Sequence, residues 1–239
     1  MDRAFHLMGR PNERTEPVST IAVIGAGPGL GMAIAREFGR HDFDVALVSR
    51  NPAKLDGYVR TLTDEGIVAE AFPADVLDHA SLRAALQAAD RRFGGIDVLE
   101  YSPVDAADGT PGPPSTVTPA AVEAAVRSQL LGAMAAAHAV LPGMQERGSG
   151  TLLFTTGAGS VTPTPHFAAA NAGGAALRNW ALNLHGELEG SGVYVAHVPI
   201  AVMIDAVIPG YPSASSTDIA TQYWRLHTER DAAEYMFTA

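Results

Sequence analysis

A glycine-rich loop near the start of the chain has the residue types that bind phosphate. Residues 25–31 read GAGPGLG, follow an apolar run and precede the helical sequence MAIAREFG. Glycines allow a tight turn and close approach of a pyrophosphate, whose charge sits against the amides of a helix N-terminus. A glycine triplet alone is a weak signal, but the strand–turn–helix context strengthens it. The loop predicts a dinucleotide site that uses Gly25, Pro28, Gly29, Leu30 and Gly31.

The end of the second apolar run indicates which dinucleotide would bind. A site that selects NAD usually ends this strand with an acid that holds the ribose 2′-hydroxyl. Here the run ends in Ser49 and Arg50. A guanidinium suits a 2′-phosphate through paired, charge-assisted hydrogen bonds. These residues favour NADP over NAD, the alternative being that Arg50 is an ordinary solvated arginine.

The elements that must position this site alternate along the chain. Apolar runs predict strands at 21–25, 44–49, 67–72, 96–101, 151–156 and 193–200, and helices are predicted near 29–39, 52–65, 78–93, 119–146 and 166–189. Nearly continuous apolar runs are typical of strands covered on both faces. The alternation implies βαβ units with right-handed crossovers. We expect one doubly wound α/β (Rossmann) domain over residues 20–239, a parallel sheet with helices on both faces, after an N-terminal arm at 1–19.

Two loop-like stretches follow predicted strands. Residues 105–118 and 201–217 are rich in Gly, Pro, Ser and Thr, and both come after the carboxyl end of a strand. Ligands bind at that edge of an open α/β sheet. Loops of this length are more often functional than idle. We expect them to border the substrate.

Composition excludes several classes of protein. The 239 residues are 47% apolar and 18% charged, which is typical of one globular domain. A net charge of −10 argues against a nucleic-acid surface. The absence of cysteine excludes disulfides, thiolate nucleophiles and cysteine-ligated metal, and the eight histidines show no convincing zinc spacing, so no metal is expected. Nor does the run at 155–160 contain the G-x-S-x-G of a hydrolase.

Several segments together resemble the short-chain dehydrogenase/reductase family. The spacing of Gly25, Gly29 and Gly31 matches its phosphate loop. The segment at 74–76 matches the family's strand end that touches adenine, and the segment at 192–199 matches the strand that precedes its nicotinamide loop. The resemblance runs from about residue 20 to residue 238. It implies a seven-stranded sheet whose last strand is 234–238. It also implies further cofactor contacts from residues at the third, fourth and sixth strand ends, namely Asp75, Val76, Tyr101, Ser102, Pro103 and Pro199.

The family's catalytic residues do not match. In its ordinary members an Asn, a Ser, a Tyr and a Lys work together. The resemblance places Gln129 at the asparagine, Gly157 at the serine, Ala170 at the tyrosine and Gly174 at the lysine. No shifted alignment restores the catalytic tyrosine and lysine, because no tyrosine lies between positions 101 and 194 and the only lysine is Lys54.

Other side chains could supply the proton instead. His166 lies in the loop before the fifth helix, and imidazole is a common group for proton transfer, although His166 could be a histidine that only starts a helix. Thr156 takes the serine's place if the alignment slips by one residue, and Gln129 could orient a carbonyl. Tyr101 could stack on the cofactor or be an ordinary strand-end aromatic. Candidate pocket or core residues in and after the second loop are Asp205, Tyr211, Tyr223 and Trp224.

Two adjacent glycines interrupt the fifth helix. Gly173 and Gly174 each lower helix stability by roughly 1 kcal/mol relative to alanine. Such a sequence indicates close approach of a ligand or another backbone, or else packing of the helix on the sheet.

Three functions remain open from the sequence. The first is an atypical NADP-dependent oxidoreductase acting on a small carbonyl or hydroxyl compound, because hydride transfer itself belongs to the cofactor. The second is a non-redox isomerase, dehydratase or cyclase on the same scaffold. The third is a catalytically inactive NADP-binding or sensing protein.

The expected partners follow from the same observations. We expect a small-molecule substrate, no nucleic acid and no membrane. No stretch of ~18 apolar residues is present and the first twenty residues lack an apolar leader, so the expected location is cytoplasmic. By resemblance, the fourth and fifth helices pair subunits into a homodimer or homotetramer. Their many alanines and glycines allow close helix contact, but would equally suit packing on the sheet.

Overall fold

The computed structural model describes residues 18–103 and 112–239. The N-terminal arm predicted at 1–19 lies almost wholly outside the described residues, as does much of the predicted loop at 105–118. The main sheet has six parallel strands in the order β3-β2-β1-β4-β5-β6. The strands are β1 Thr20–Ile24, β2 Asp44–Val48, β3 Ala69–Ala71, β4 Val98–Tyr101, β5 Gly150–Gly157 and β6 Val193–Ile200. A doubly wound α/β domain is thereby confirmed.

Helices cover both faces of the sheet. They are α1 Leu30–Arg40, α2 Pro52–Asp64, α3 His79–Phe93, α4 Pro119–Ala125, α5 Gly132–Arg147, α6 Ala168–Glu187 and α7 Ser216–Glu229. One apolar core joins α3, α5 and α6 to the sheet, and the other joins α1, α2 and α7 to its opposite face. The strands are buried almost throughout because both faces are covered.

Local sequence signals account for several helix ends. Asn51 and Thr118 accept hydrogen bonds from Lys54 N and Ala121 N, and a proline follows each cap. Asp78 caps α3, which ends at Gly94 in the left-handed region. Helix α7 was not predicted, because its start at Ser215 falls inside the stretch interpreted as a loop.

The sheet has six strands rather than the seven expected. Residues 234–237 do lie parallel to β6, but they pair with it only at two isolated bridges, His197 with Glu234 and Ile200 with Phe237. The backbone N–H groups of residues 197 and 201 donate at 2.9 Å each to the carbonyls of Ala233 and Phe237. Between them Pro199 has no N–H to donate, so the ladder is interrupted at its middle.

The predicted helix at 119–146 is continuous but changes its winding. A π-helical turn at Val126–Leu131 separates α4 from α5. Within the described residues, Pro119–Arg147 is the one helical stretch long and apolar enough to cross a membrane. Here its small side chains Ala133, Ala136 and Ala137 pack into the core beneath the sheet. Turns of π-helix occur frequently at functional sites, and this one contains Gln129.

A small second sheet lies after β6. Strands β7 Met203–Ile204 and β8 Ser213–Ala214 pair in parallel within the predicted loop at 201–217. The loop therefore has its own hydrogen-bonded base. It leads directly into the N-cap of α7 at Ser215.

Candidate functional site

Two positions of the glycine-rich loop leave little or no space for a side chain. Gly25 has φ +98°, and a Cβ there would lie 2.6–2.7 Å from the backbone of Ser102 and Pro103. A Cβ on Gly31 would lie 3.1 Å from the Gly25 carbonyl oxygen and the Ala26 Cα. The loop is tied to the second strand because Gly25 N donates to the Val48 carbonyl at 3.0 Å. The tight turn of the loop thus depends on having residues without side chains at these two positions.

The loop places the N-terminus of α1 at the wall of a cavity. Gly29 is the N-cap, makes no side-chain cap, and is followed by a first turn without an acidic residue. Met32 N of that turn donates to the Gly27 carbonyl at 3.1 Å. The N–H groups of Leu30 and Gly31 remain for an anion, and the helix dipole favours negative charge there. The five predicted loop residues Gly25, Pro28, Gly29, Leu30 and Gly31 all line the cavity.

The cavity has a volume of about 1240 Å³ and lies beyond the carboxyl ends of the strands. This is where the topology of a doubly wound sheet places ligands. Ser49 and Arg50 line it after β2, Asp75 and Val76 after β3, and Ser102 and Pro103 after β4. These predicted residues lie on its wall although they are far apart in the sequence.

A cationic residue that the sequence analysis did not assign lies beside Arg50. Lys54, the only lysine, lines the cavity from the first turn of α2, and Tyr58 lies one turn further on. Within the described residues neither Arg50 nor Lys54 makes an ion pair. Arg50 and Lys54 are four residues apart and flank the start of α2, and this spacing could have indicated that the two charges lie on the same side.

Two predicted cofactor contacts are not on the cavity wall. Tyr101 is 1% exposed, and its hydroxyl donates to the Ser128 carbonyl beneath α5. The pleat of β4 turns successive side chains to opposite faces, and it turns the Tyr101 side chain into the core. Tyr101 is therefore a buried strand-end aromatic, which was the alternative given for it. Pro199 lies inside β6 opposite Thr156, and the wall is formed by the residues that follow it, beginning with Ile200.

The three predicted catalytic residues all line the cavity. Thr156 lies one residue before the end of β5, Gln129 lies in the π-helical turn and His166 lies in the exposed segment before α6. Gln129 Oε1 and Thr156 Cβ lie 3.2 and 3.5 Å from where a Cβ of Gly174 would be. Thr156 and Gln129 are thus brought together against α6, while His166 lies in the exposed segment before α6.

Behind Thr156 runs a hydrogen-bonded chain that the sequence analysis missed. Thr156 Oγ1 lies 2.8 Å from Ser160 Oγ and 2.8 Å from Nε2 of His197. Nδ1 of His197 lies 2.9 Å from Glu234 Oε2, and Arg178 binds both oxygens of that carboxylate. The signal was one histidine within the apolar run VYVAHVPI, which pairs with an acid that is distant in the sequence.

The charges along this chain are set by burial and by Arg178. Hydrogen bonding to Arg178 lowers the pKa of the Glu234 carboxyl, so Glu234 stays ionised. Burial lowers the pKa of His197 below its ordinary value, and the neighbouring Glu234 only partly opposes that shift. His197 is fully buried and is neutral at pH 7.

A second polar network occupies the opposite face of the sheet. Glu100 is fully buried, and its carboxyl accepts hydrogen bonds from Ser102 Oγ at 3.0 Å and Thr155 Oγ1 at 2.9 Å. Tyr223 Oη lies 2.7 Å from Thr155 Oγ1. Burial raises the pKa of Glu100 to about 8, so this carboxyl is protonated at neutral pH.

The residues of the second loop divide between wall and core. Asp205 and Tyr211 line the cavity, whereas Tyr223 is fully buried and Trp224 stacks on His41 with 3.8 Å between ring centroids. Asp205 Oδ1 accepts from Ser216 N at 2.8 Å. Within the described residues, no three side chains of the metal-binding types converge.

Comparison with known proteins identifies relatives. The family model for short chain dehydrogenase matches residues 19–210. Ketoacyl reductase HetN of Nostoc sp. is 30% identical over 203 residues, which cover 85% of this chain and 67% of that protein. The very-long-chain 3-oxoacyl-CoA reductase of Aspergillus niger is 28% identical over 211 residues, which cover 85% of this chain and only 59% of the relative.

Solved structures agree with this fold. L-sorbose reductase from Gluconobacter frateurii, complexed with NADPH and L-sorbose, aligns with TM-score 0.82 at 20% identity over 92% of this chain and 95% of that one. A short-chain dehydrogenase from Rhodopseudomonas palustris aligns with TM-score 0.79 at 25% identity over 92% and 98% of the two chains. With most of its length matched by the family model, the chain belongs to the short-chain dehydrogenase family.

Proposed function

We propose that this protein is an NADP-dependent oxidoreductase that acts on a small carbonyl or hydroxyl compound without the tyrosine–lysine couple of its family. The observation that carries the cofactor choice is the position of Arg50 and Lys54, two cations on the wall of the cavity next to the end of β2. A 2′-phosphate is the part of NADP that would use them.

The residues present fit a dinucleotide. Gly25 lets the loop lie against the backbone of Ser102 and Pro103, and the first turn of α1 offers the N–H groups of Leu30 and Gly31 to a diphosphate. Asp75 and Val76 would border the adenine, and Ser102 and Pro103 the nicotinamide half. Tyr101 would not touch the nicotinamide. It would support the neighbouring Ser102 and Pro103 from within the core, where its hydroxyl donates to the Ser128 carbonyl.

A bound nicotinamide would supply or accept the hydride, and the chain must manage the accompanying proton. Ala170 and Gly174 stand where the resemblance expects tyrosine and lysine, and neither can move a proton. We assign transfer of the proton to Thr156 and orientation of the substrate oxygen to Gln129. His166 is a second candidate for proton transfer. All three line the cavity.

The curated relatives favour reduction of a carbonyl. Two of them are named as ketoacyl or 3-oxoacyl-CoA reductases, and a structural neighbour is an NADPH-bound sorbose reductase. Because this chain spans only 67% and 59% of the two relatives, their substrates are a guide to the class of reaction rather than to the compound.

Titration of NADPH and NADH tests the proposal. We expect Arg50→Ala and Lys54→Ala each to weaken NADPH binding about tenfold, since each removes one charged hydrogen-bond partner of the 2′-phosphate. NADH binding should be unchanged. Arg60→Ala, which removes an exposed cation elsewhere on α2, is the matched control. Failure of the wild-type chain to bind either dinucleotide would overturn the proposal.

Turnover distinguishes the remaining alternatives. The proposal expects NADPH oxidation with at least one member of a panel of ketones and 3-oxoacyl thioesters. Product formation without net consumption of NADPH would instead indicate the non-redox enzyme. Tight NADPH binding without any turnover would indicate the sensing protein.

Assembly into a homodimer or homotetramer is part of the proposal, through α4, α5 and α6. Within one chain Gly173 already packs on Ala125, so part of the small-residue surface is used internally. Sedimentation at micromolar concentration should show a species larger than the 24.9 kDa chain.

A further inference from the structure

We propose that Thr156, His197 and Glu234 form a proton relay, in which the Thr156 hydroxyl exchanges a proton with the substrate oxygen and His197 stores it. The inference rests on the proposed redox function and adds the route by which the proton moves. Thr156 is the catalytic residue, because it lines the cavity. His197 and Glu234 act through it as positioning residues.

The geometry is that of an alcohol activated by a histidine with a carboxylate behind it. Thr156 Oγ1 lies 2.8 Å from His197 Nε2, and His197 Nδ1 lies 2.9 Å from Glu234 Oε2. Both ring nitrogens are therefore engaged, one by an alcohol and one by an acid. A carboxylate at Nδ1 keeps the proton of a neutral imidazole on that nitrogen, which leaves the Nε2 lone pair toward the alcohol.

The hydrogen bonds available to Thr156 leave one position for a substrate. A threonine hydroxyl has one hydrogen to donate and two lone pairs. When the hydrogen points to His197 Nε2, the Ser160 hydroxyl at 2.8 Å can donate to one lone pair. The second lone pair remains for a substrate hydroxyl in the cavity. The Gly157 carbonyl, at 3.2 Å, is a more distant acceptor for the same hydrogen.

Among the described residues, the charged groups that act on His197 are Glu234 and Arg178. Glu234 approaches from the segment beside β6, and Arg178 from α6 holds its carboxylate at both oxygens. Thr156 and Ser160 complete the surroundings from the end of β5 and the turn Ala158–Ser160. His197 is 0% exposed, so a proton reaches Nε2 through Thr156 rather than from bulk water.

The proton balance is closed for alcohol oxidation. The substrate O–H bond breaks and its proton passes to Oγ1 of Thr156, while the Thr156 hydroxyl proton passes to Nε2 of His197. The imidazolium formed is paired with the Glu234 carboxylate. The oxidised nicotinamide dinucleotide of the proposed function accounts for the hydride and both electrons of the substrate C–H bond. Carbonyl reduction uses the same proton transfers in the reverse order.

The pKa values suit a relay that starts with neutral imidazole. Burial holds the pKa of His197 below its ordinary value, so the ring is ready to accept a proton at neutral pH. Arg178 lowers the pKa of Glu234, which therefore remains an anion as the imidazolium forms. Charge on the ring appears only while the proton is stored.

Nitrogen-15 NMR of the histidine rings tests the relay in the cofactor-free chain. We expect His197 to carry its proton on Nδ1 at neutral pH and to show a hydrogen-bonded Nε2. Thr156→Val should move the Nε2 resonance toward that of a free lone pair, whereas Thr156→Ser should preserve it. His185, whose Nδ1 contacts the Val195 carbonyl at 2.7 Å, is the internal control. If Thr156→Val does not fold, Thr156→Ala takes its place.

Kinetics give the second readout, with NADP⁺ and whichever secondary alcohol of a test panel is oxidised. Thr156→Val should lower kcat about 10²–10⁴-fold with little change in KM, and Thr156→Ser should retain activity within about tenfold. Oxidation should slow as the pH falls through the pKa of His197. Glu234→Gln should move that acidic limb to lower pH, because it removes the charge that favours imidazolium.

The two proposals fail in different ways. The relay would be overturned by a proton on Nε2 of His197, or by an Nε2 chemical shift that is the same in Thr156→Val as in the wild type. Either result would count even if NADPH binds and turnover occurs. Absence of dinucleotide binding would overturn the proposed function, whereas the NMR result would still decide whether the Thr156–His197 coupling exists.

Discussion

Gly173 of α6 lies so close to Ala125 of α4 that a Cβ on the glycine would stand 2.9 Å from the alanine's carbonyl carbon and oxygen. The obstacle is backbone, which cannot move aside as a side chain can. This contact fixes the distance between α6 and the π-helical turn that follows Ala125 and carries Gln129. The position of one end of the cavity therefore depends on a glycine in the middle of a helix.

Gly173→Ala should destabilise the protein although alanine is the better helix former. Overpacking typically lowers the free energy of unfolding by about 1–3 kcal/mol, which exceeds the gain of up to about 1 kcal/mol in helix propensity. Gly186→Ala on the same helix is the matched control, because no atom lies within 4 Å of its new Cβ. Urea unfolding should show opposite signs for the two variants, and equal stabilisation by both would contradict the contact.

The phosphate loop and most of the cavity wall could be predicted because their signals are local. Gly25 follows β1, Gly31 lies in the first turn of α1 and Asp75 follows β3, so each belongs to a strand–turn–helix unit that the alternating pattern already implies. The relay could not be predicted, because Thr156, His197 and Glu234 meet through sheet register rather than sequence spacing. A histidine in an apolar strand has no visible partner until that register is known.

Side-chain direction explains why Tyr101 and Pro199 are not on the cavity wall. Whether a strand-end residue faces the cavity depends on the pleat and on where the strand stops. Tyr101 points into the core, and Pro199 lies one residue before the wall begins. The interrupted seventh strand was similarly hidden, since the missing bond at Pro199 matters only when residues 234–237 lie beside it.

Asp205→Asn should strengthen NADPH binding. Asp205 Oδ2 lies 3.7 Å from where a Cβ of Gly29 would be, so a carboxylate faces the end of α1 that would receive the diphosphate. Removing one like charge there should improve affinity about fivefold, which corresponds to about 1 kcal/mol at a partly solvated site. The amide oxygen can still accept from Ser216 N. Calorimetric titration measures the change, and Asp90→Asn on α3 controls for net charge.

Glu100→Gln should stabilise the protein at alkaline pH. The pKa of Glu100 is raised from 4.5 to about 8 by burial, so the folded chain holds a proton that the unfolded chain has lost. Stability from this group is complete below pH 4.5 and declines as the pH rises through about 8. Glutamine has no proton to lose, so at pH 8 the variant should be more stable on the order of a few kcal/mol. Thermal unfolding across this range should show a shallower decline, and parallel curves would contradict a protonated Glu100.

His227→Gln should reduce the loss of stability in acid. His227 lies on α7 against Phe38, Phe43 and Trp224, and Thr151 Oγ1 is 3.0 Å from its Nδ1. Burial lowers its pKa from 6.5 to about 4, so the unfolded chain takes up a proton first as the pH falls. Stability therefore declines from pH 6.5 down to about 4.

Glutamine can keep the hydrogen bond to Thr151 without titrating. Urea midpoints of His227→Gln should accordingly depend less on pH in that window, with a residual slope from His197, whose pKa is also lowered. His138→Gln, at an exposed position on α5, is the control for loss of a histidine. If the wild type and His227→Gln lost stability equally between pH 6.5 and 4, His227 would have to be charged inside its aromatic cluster, which burial opposes.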